Sequence, residues 1–418
     1  MKASWLFPTD AQGETDPVTS TLRTILSRAI STVHDGTVAD YIPALARADP
    51  NHVGGAVTSV RGRSYDAGDA AEPFTIQSIS KPFVFALALS SRGRDTVLDH
   101  VGVEPSGEAF NAISFDAQGR PANPMINAGA LVATSLIAAS DSRERVRIIA
   151  DGLSAFAGRP LTIDEEVYVS EVETGERNRA LASLAKASGV LAASVADATD
   201  AYFRQCSLSV TCRDLAIMAA TLANGGVNPV TGIRVVSEAV TRDTLAVMAA
   251  CGMYDHSGEW LVDVGLPAKS GVSGGILAVA AGEYGISVFS PPLDTVGNSR
   301  RGVAALRDLS REFDVHLFQL THVVAASVRF SFEETGGSVV TVYLRARVDF
   351  VTAEDVLAEM CDRAETGLPQ NLVLNLTEVH TISRAAERLL RALLGALRHG
   401  GYAVSVVDPQ GLADFGLE

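Results

Sequence analysis

One stretch, Phe74-Thr75-Ile76-Gln77-Ser78-Ile79-Ser80-Lys81-Pro82-Phe83, constrains the fold of the whole chain. It leads into residues 83–89, which are apolar on every side, and a helix with no polar face belongs at the centre of a domain. Residues three apart share a helix face, so a helix starting near Gln77 lets Ser78 and Lys81 touch. Pro82 agrees with that start: in the first turn its missing N–H costs no intrahelical bond, whereas deeper in it breaks the helix. The placement also serves chemistry. A serine hydroxyl needs a neighbouring base to attack near neutral pH. Lysine is such a base once burial, or the positive end of a helix, lowers its pKa. On its own, Ser-x-x-Lys reads first as a chance pattern on a surface turn. A second element, Lys269-Ser270-Gly271, stands far downstream and changes that balance.

Length and charge bound what such a site serves. At 418 residues the chain suits two domains. Its 47% hydrophobic and 20% charged residues are those of a globular protein, and a net charge of -15 repels nucleic acid and anionic membrane. The opening Met1-Lys2-Ala3-Ser4-Trp5 has no apolar leader core, and no apolar run is long enough to span a bilayer. A cytoplasmic protein with neither nucleic-acid nor membrane partner is expected. Cys206, Cys212, Cys251 and Cys361 lack metal or redox spacing, so buried free thiols are expected. With no histidine metal pattern or nucleotide loop either, the expectation is a hydrolase without cofactor or metal.

The periodicity of residues 19–33 predicts a helix ending before Gly36. Residues 53–60 and 64–69 read as paired strands, and 74–76 lead into the Ser78 helix. From there to about residue 250 the chain is alanine-rich and helical. Residues 276–280 and 286–289, joined at Gly282-Glu283, read as a hairpin. Strands at both ends with helices between predict an antiparallel sheet whose halves flank a helical insertion. Residues 302–313 make a closing helix. Beyond about residue 320, strands at 339–348, 371–376 and 402–407, with an amphipathic helix over 385–397, describe a small α/β domain.

Polar clusters interrupt the helical part. They are Pro105-Ser106-Gly107 with Phe110-Asn111, Asn123-Pro124 with Ile126-Asn127-Ala128-Gly129, Ser170-Glu171 with Arg177-Asn178, Tyr202, and Tyr254. Upstream lies Ala39-Asp40-Tyr41-Ile42-Pro43. Singly, each has a bland reading: Asn127 and Asn178 as helix caps, Glu171 as a surface carboxylate, Tyr41, Tyr202 and Tyr254 as core. Together with Gln77-Ser78-Ile79-Ser80-Lys81 and Lys269-Ser270-Gly271-Val272-Ser273-Gly274-Gly275, in this order, they resemble the serine-dependent glutaminase family, which has a β-lactamase-like fold. The resemblance covers about residues 19–318. Past residue 320 the strand order, and residues 371–376 running through 379–385 into a helix, resemble a STAS domain.

The resemblance implies an α/β chain: a β-lactamase/penicillin-binding-protein-like domain over 1–318, with antiparallel sheet and helical subdomain, then a small α/β STAS-like domain over 319–418. It implies hydrolysis of L-glutamine to L-glutamate and ammonia, by a homo-oligomer (dimer or tetramer) with a protein partner open to the STAS-like domain. By position, Ser78 is the acylated nucleophile and Lys81 its base. The N–H groups of Ser78 and Val272 form the oxyanion hole, and Tyr254 relays protons. Glu171 anchors the substrate ammonium, and Asn127, Asn178, Tyr202 and Tyr41 hold the amino-acid head. The chemistry is coherent, since a buried zwitterion needs compensation at both ends. Pro82 departs from the aliphatic residue expected after the lysine. Two rivals remain. A penicillin-binding enzyme lacks its Ser-x-Asn element here, and a catalytically retired scaffold is opposed by intact Ser78, Lys81 and Tyr254. In the STAS-like part, Ser383 falls on the aspartate position of switch-type domains and Arg384-Ala385 on the hydroxyl positions, while a one-residue slip restores Ser383 as the acceptor; a docking module and not a phosphorylation switch is expected. The apolar helix face of Leu389, Leu390, Leu393 and Leu394 reads first as that module's own core and second as a contact surface.

Overall fold

The computed structural model describes residues 16–107, 112–318, 330–335 and 338–416. Packing divides the chain into two compact units, Leu22–Asp308 and one built on Leu309–Glu418. That division falls ahead of the expected 318/319 junction, and residues 319–329 lie outside the described residues.

The larger unit is organised on strands from both ends of its sequence. β1 (Gly54–Ser59) and β2 (Ser64–Gly68) form one hairpin. The short β3 (Phe74–Thr75) and β4 (Ser209–Val210) pair apart from the main sheet. β5 (Ala268–Ser270), β6 (Gly275–Ala280) and β7 (Tyr284–Phe289) complete a five-stranded sheet of order β2-β1-β7-β6-β5, antiparallel throughout. β1, β6 and β7 are buried at every residue, so they carry small and apolar residues on both faces and show little alternation. Leu22 and Leu26 of the helix Pro17–Thr32 pack on Gly55, and the helix Cys212–Ala223 packs on β1, β6 and β7. Between the two sets of strands lies the helical section. Its core centres on the helix Ser80–Arg92, where Phe83, Val84, Phe85, Ala86, Ala88 and Leu89 are all buried. The expected insertion of helices into an antiparallel sheet is what forms.

The smaller unit has a mixed sheet of order β11-β10-β9-β8, from β8 (Phe330–Thr335), β9 (Val339–Val348), β10 (Asn371–Ile382) and β11 (Ala403–Val407). β10 runs parallel to β9 and β11, and β8 is antiparallel to β9. The helices Phe350–Thr366 and Arg384–His399 pack against each other. Two details differ from the expectation. Residues 379–382 are strand and not connection: register shifts after Asn375 and after Val379 keep β10 beside β9 while breaking the period of two that marks a strand. Leu389, Leu390, Leu393 and Leu394 are at most 5% exposed, so that face is wholly the unit's own core. It offers nothing for a partner to cover. Cys206, Cys212 and Cys251 are buried free thiols, and Cys361 is only half-buried.

Candidate active site

The Ser78 turn is built before the helix it feeds. β3 is held by β4 and by the Phe74 ring, which stacks on Phe289 of β7 at 4.1 Å. Residues Gln77–Ile79 then form one 3-10 turn, and the α-helix begins at Ser80. Ser78 therefore precedes the α-helix and is not in its first turn. The spacing still works, since side chains three apart eclipse in a 3-10 turn. Pro82 falls in the first turn of the α-helix, where its missing donor costs nothing.

Gln77 adopts φ +49°, a left-handed conformation that costs a residue with a side chain roughly 1–2 kcal/mol. The Ser80 hydroxyl donates to the Gln77 carbonyl at 2.8 Å. The Gln77 amide donates to Thr75 Oγ1 at 3.4 Å and also to the Glu171 carboxylate. Tyr254 is the other bulky residue of this region with positive φ, at +54°. It follows the point where Gly252 meets β5: a Cβ there would lie 1.8 Å from the Ala268 carbonyl oxygen. Two strained positions thus flank one hydrogen bond, in which the Ser78 hydroxyl donates to the Tyr254 oxygen. The Tyr254 hydroxyl in turn donates to the Ser270 carbonyl at 3.1 Å. Burial pushes its pKa up, so the phenol keeps its proton.

Lys81 heads a second network. Its Nζ donates to Asn127 Oδ1 at 2.7 Å, and the same oxygen accepts from the Tyr202 hydroxyl at 3.3 Å. Asn127 Nδ2 donates to Asn178 Oδ1 at 2.9 Å. Neither asparagine caps a helix, so the bland reading of both fails. Burial pushes the Lys81 amine down to about 8, against the opposing influence of Cys206 and Glu171. Glu171 is 5% exposed, so it is no surface carboxylate. Burial raises it to about 7, while the Gln77 hydrogen bond and Lys81 hold it down.

Val272 sits in the turn from β5 to β6, closed by Gly271 N–H to Gly275 O at 2.9 Å. Gly275 lets that turn lie against the nucleophile segment, since a Cβ there would be 2.8 Å from both Ile79 and Phe74. The Val272 side chain packs with Ala39, Ile42, Leu45, Val167 and Leu293. The same segment brings in Tyr41, tied down by Ala44 N–H to Ser170 Oγ at 3.3 Å. Tyr41 is 51% exposed as a residue and is no core side chain. Its phenol is nonetheless crowded by protein, with Tyr254 and Glu171 near, and its pKa is pushed up. That combination describes the rim of a cleft. Phe110 and Asn111 lie outside the described residues.

Comparison with known proteins identifies the family. The glutaminase family model matches residues 36–318, and a STAS domain model matches 331–412. A glutaminase of Corynebacterium efficiens is 42% identical over 405 residues, 96% of this chain and 95% of its own. The chain belongs to the glutaminase family. Mglu, solved in its glutamate form, is 39% identical with a TM-score of 0.72, over 95% of this chain and 99% of Mglu. A probable glutaminase from Bacillus subtilis, solved with 6-diazo-5-oxo-L-norleucine, is 35% identical with a TM-score of 0.66, over 72% and 97% of the two chains.

In this glutaminase the expected residues fall into two linked groups: Ser78 with Tyr254, and Lys81 with Asn127, Asn178 and Tyr202. Glu171 joins them through Gln77 and its charge. Among the described residues no hydrogen bond runs directly from Ser78 to Lys81. Reading the sequence overlooked Gln77 and Lys269, although both stand inside recognised motifs. The available signal for Lys269 was a lysine in an apolar strand with no visible partner.

Proposed function

We propose that the chain hydrolyses the side-chain amide of L-glutamine to L-glutamate and ammonia through an acyl-enzyme on Ser78. Ser78 Oγ attacks the amide carbon as its proton passes to neutral Lys81, with Tyr254 alongside to relay it. The oxyanion meets the N–H groups of Ser78 and Val272. Protonation of the leaving nitrogen releases ammonia, and water, activated by the same lysine, frees glutamate. Glu171 takes the substrate's α-ammonium, and Asn127, Asn178, Tyr202 and Tyr41 hold its head. The observation that carries this reading is the Ser78 hydroxyl bonded to Tyr254 beside a buried lysine whose pKa lies near 8. Among the described residues the Val272 N–H makes no backbone hydrogen bond, which supports its part. The glutamate bound by Mglu agrees with the product.

A β-lactamase-like fold is part of the same proposal, supported by the helical insertion in an antiparallel sheet and by Ser-x-x-Lys opposite Lys-Ser-Gly. So are a cytoplasmic homo-oligomer and a STAS domain that serves assembly or docking. Ser78→Ala tests the catalytic claim: glutamate release should fall below about a hundredth of wild type with the fold intact. Higher residual turnover would place the nucleophile elsewhere.

A further inference from the structure

One buried amide ties together three helices that each carry a residue of the site. Gln205 lies on the helix Val195–Cys206, about one turn beyond Tyr202. Its Oε1 accepts the Thr134 hydroxyl at 2.9 Å, on the helix Asn127–Ser135 that begins with Asn127. Its Nε2 donates to Ser80 Oγ at 3.3 Å, beside Lys81 on the helix Ser80–Arg92. Among the described residues Gln205 has no hydrogen bond to Ser78, Lys81, Tyr254 or Glu171 themselves. The donors run in one direction. Ser80 Oγ accepts from Gln205 and gives its own proton to the Gln77 carbonyl at 2.8 Å. Gln77 holds φ +49° and donates its side-chain amide to Glu171. Such a backbone persists only where its surroundings over-determine it. Thr134, Gln205 and Ser80 are at most 1% exposed, so solvent does not compete for these bonds and cannot replace one that is lost.

We propose that Gln205 is a positioning residue for recognition of the substrate's α-ammonium: through Ser80 it holds the Gln77 backbone in its left-handed turn, and so aims the Gln77 amide at Glu171. The inference rests on the assignment of Glu171 to that ammonium. It has a consequence for charge. Burial raises the Glu171 carboxyl to about 7, and the Gln77 hydrogen bond and Lys81 are what hold it down. The other titratable groups that face it are Tyr41, Tyr202 and Cys206, and burial pushes all three up, so they stay protonated and neutral. With the Gln77 amide no longer aimed, Glu171 keeps its proton to higher pH.

Gln205→Met removes both ends of the amide at similar volume, and Thr134→Val removes only the donor at the far end. In the full chain, Gln205→Met should lower kcat/KM for L-glutamine roughly 3- to 10-fold, the scale of one neutral hydrogen bond, mostly through KM. Thr134→Val should act in the same direction and more weakly. On glutaramic acid, which has no ammonium to place, each variant should lose less than about twofold. The lower of the two rises of kcat/KM with pH, that of Glu171, should move to higher pH in Gln205→Met. Added to Glu171→Gln, Gln205→Met should cost less than about twofold more, because the two act on one contact. Equal losses on both substrates, an unmoved lower rise, losses that multiply with Glu171→Gln, or loss of folded protein in both variants by circular dichroism would each overturn the proposal. A Glu171→Gln enzyme that loses equally on the two substrates would instead mark failure of the underlying assignment.

Discussion

Glu171→Gln is the substitution that separates recognition from chemistry. It keeps the shape of a side chain that is 5% exposed and removes its charge. A hydrogen bond to a charged group contributes about 1.5–3 kcal/mol, and a desolvated charge pair lies at or above the upper figure. About 3 kcal/mol corresponds to roughly a 100-fold loss in kcat/KM. The pH dependence adds a sharper signature. The proposed mechanism requires Glu171 ionised and Lys81 neutral in the free enzyme, so kcat/KM should rise with pH through about 7 and again through about 8. The variant should keep a single rise. That rise should lie below the wild-type Lys81 value, because Lys81 has lost a carboxylate that raises it. The assay is ammonia release from L-glutamine and from glutaramic acid, which lacks the amine. Glutaramic acid should be a poor substrate for wild type and lose little further in the variant. Equal relative losses on both substrates, with both ionisations retained, would refute the assignment of Glu171 to the ammonium.

Lys81→Met should be nearly inactive yet more stable. The Lys81 pKa is depressed from 10.5 to about 8 in the folded protein, so below that value folding works against a bound proton. The cost is present at neutral pH and fades as pH rises from about 8 towards 10.5; removing it should stabilise by up to about 3 kcal/mol, and a lower Tm at pH 7 would contradict this. In the STAS domain, protein from its native cell should carry no stoichiometric phosphate on Ser383 by mass spectrometry. Its hydroxyl already accepts Ala386 N–H at 3.2 Å as the helix cap, and nearby Arg347 and Arg388 are paired with Asp314 and Glu312. Stoichiometric phosphate there would identify a switch.

Much of the larger unit was legible because its signals are local. The Gly282-Glu283 turn set the β6–β7 hairpin, and unbroken apolarity marked the helix Ser80–Arg92 as central. The candidate site residues were legible only as a constellation, since a polar side chain at a helix start or turn, taken singly, reads equally as a cap. Backbone strain was not. Nothing local announces φ +49° at Gln77 or +54° at Tyr254, because tertiary contacts impose both. Lys269 was visible as a motif, but its place over the Tyr254 ring depends on β5 meeting Gly252 across the fold. In the STAS domain β8 and the helix Phe350–Thr366 were not anticipated, and the end of β10 was hidden by its register shifts.

The central claim is that Ser78 carries the acyl group. Rapid acid quench of the enzyme during turnover of L-glutamine, followed by peptide mass spectrometry, tests it most directly. The account predicts one glutamyl ester, on the peptide containing Ser78, absent from Ser78→Ala. A glutamyl adduct on another residue, or continued ammonia release by Ser78→Ala at the wild-type rate, would contradict it.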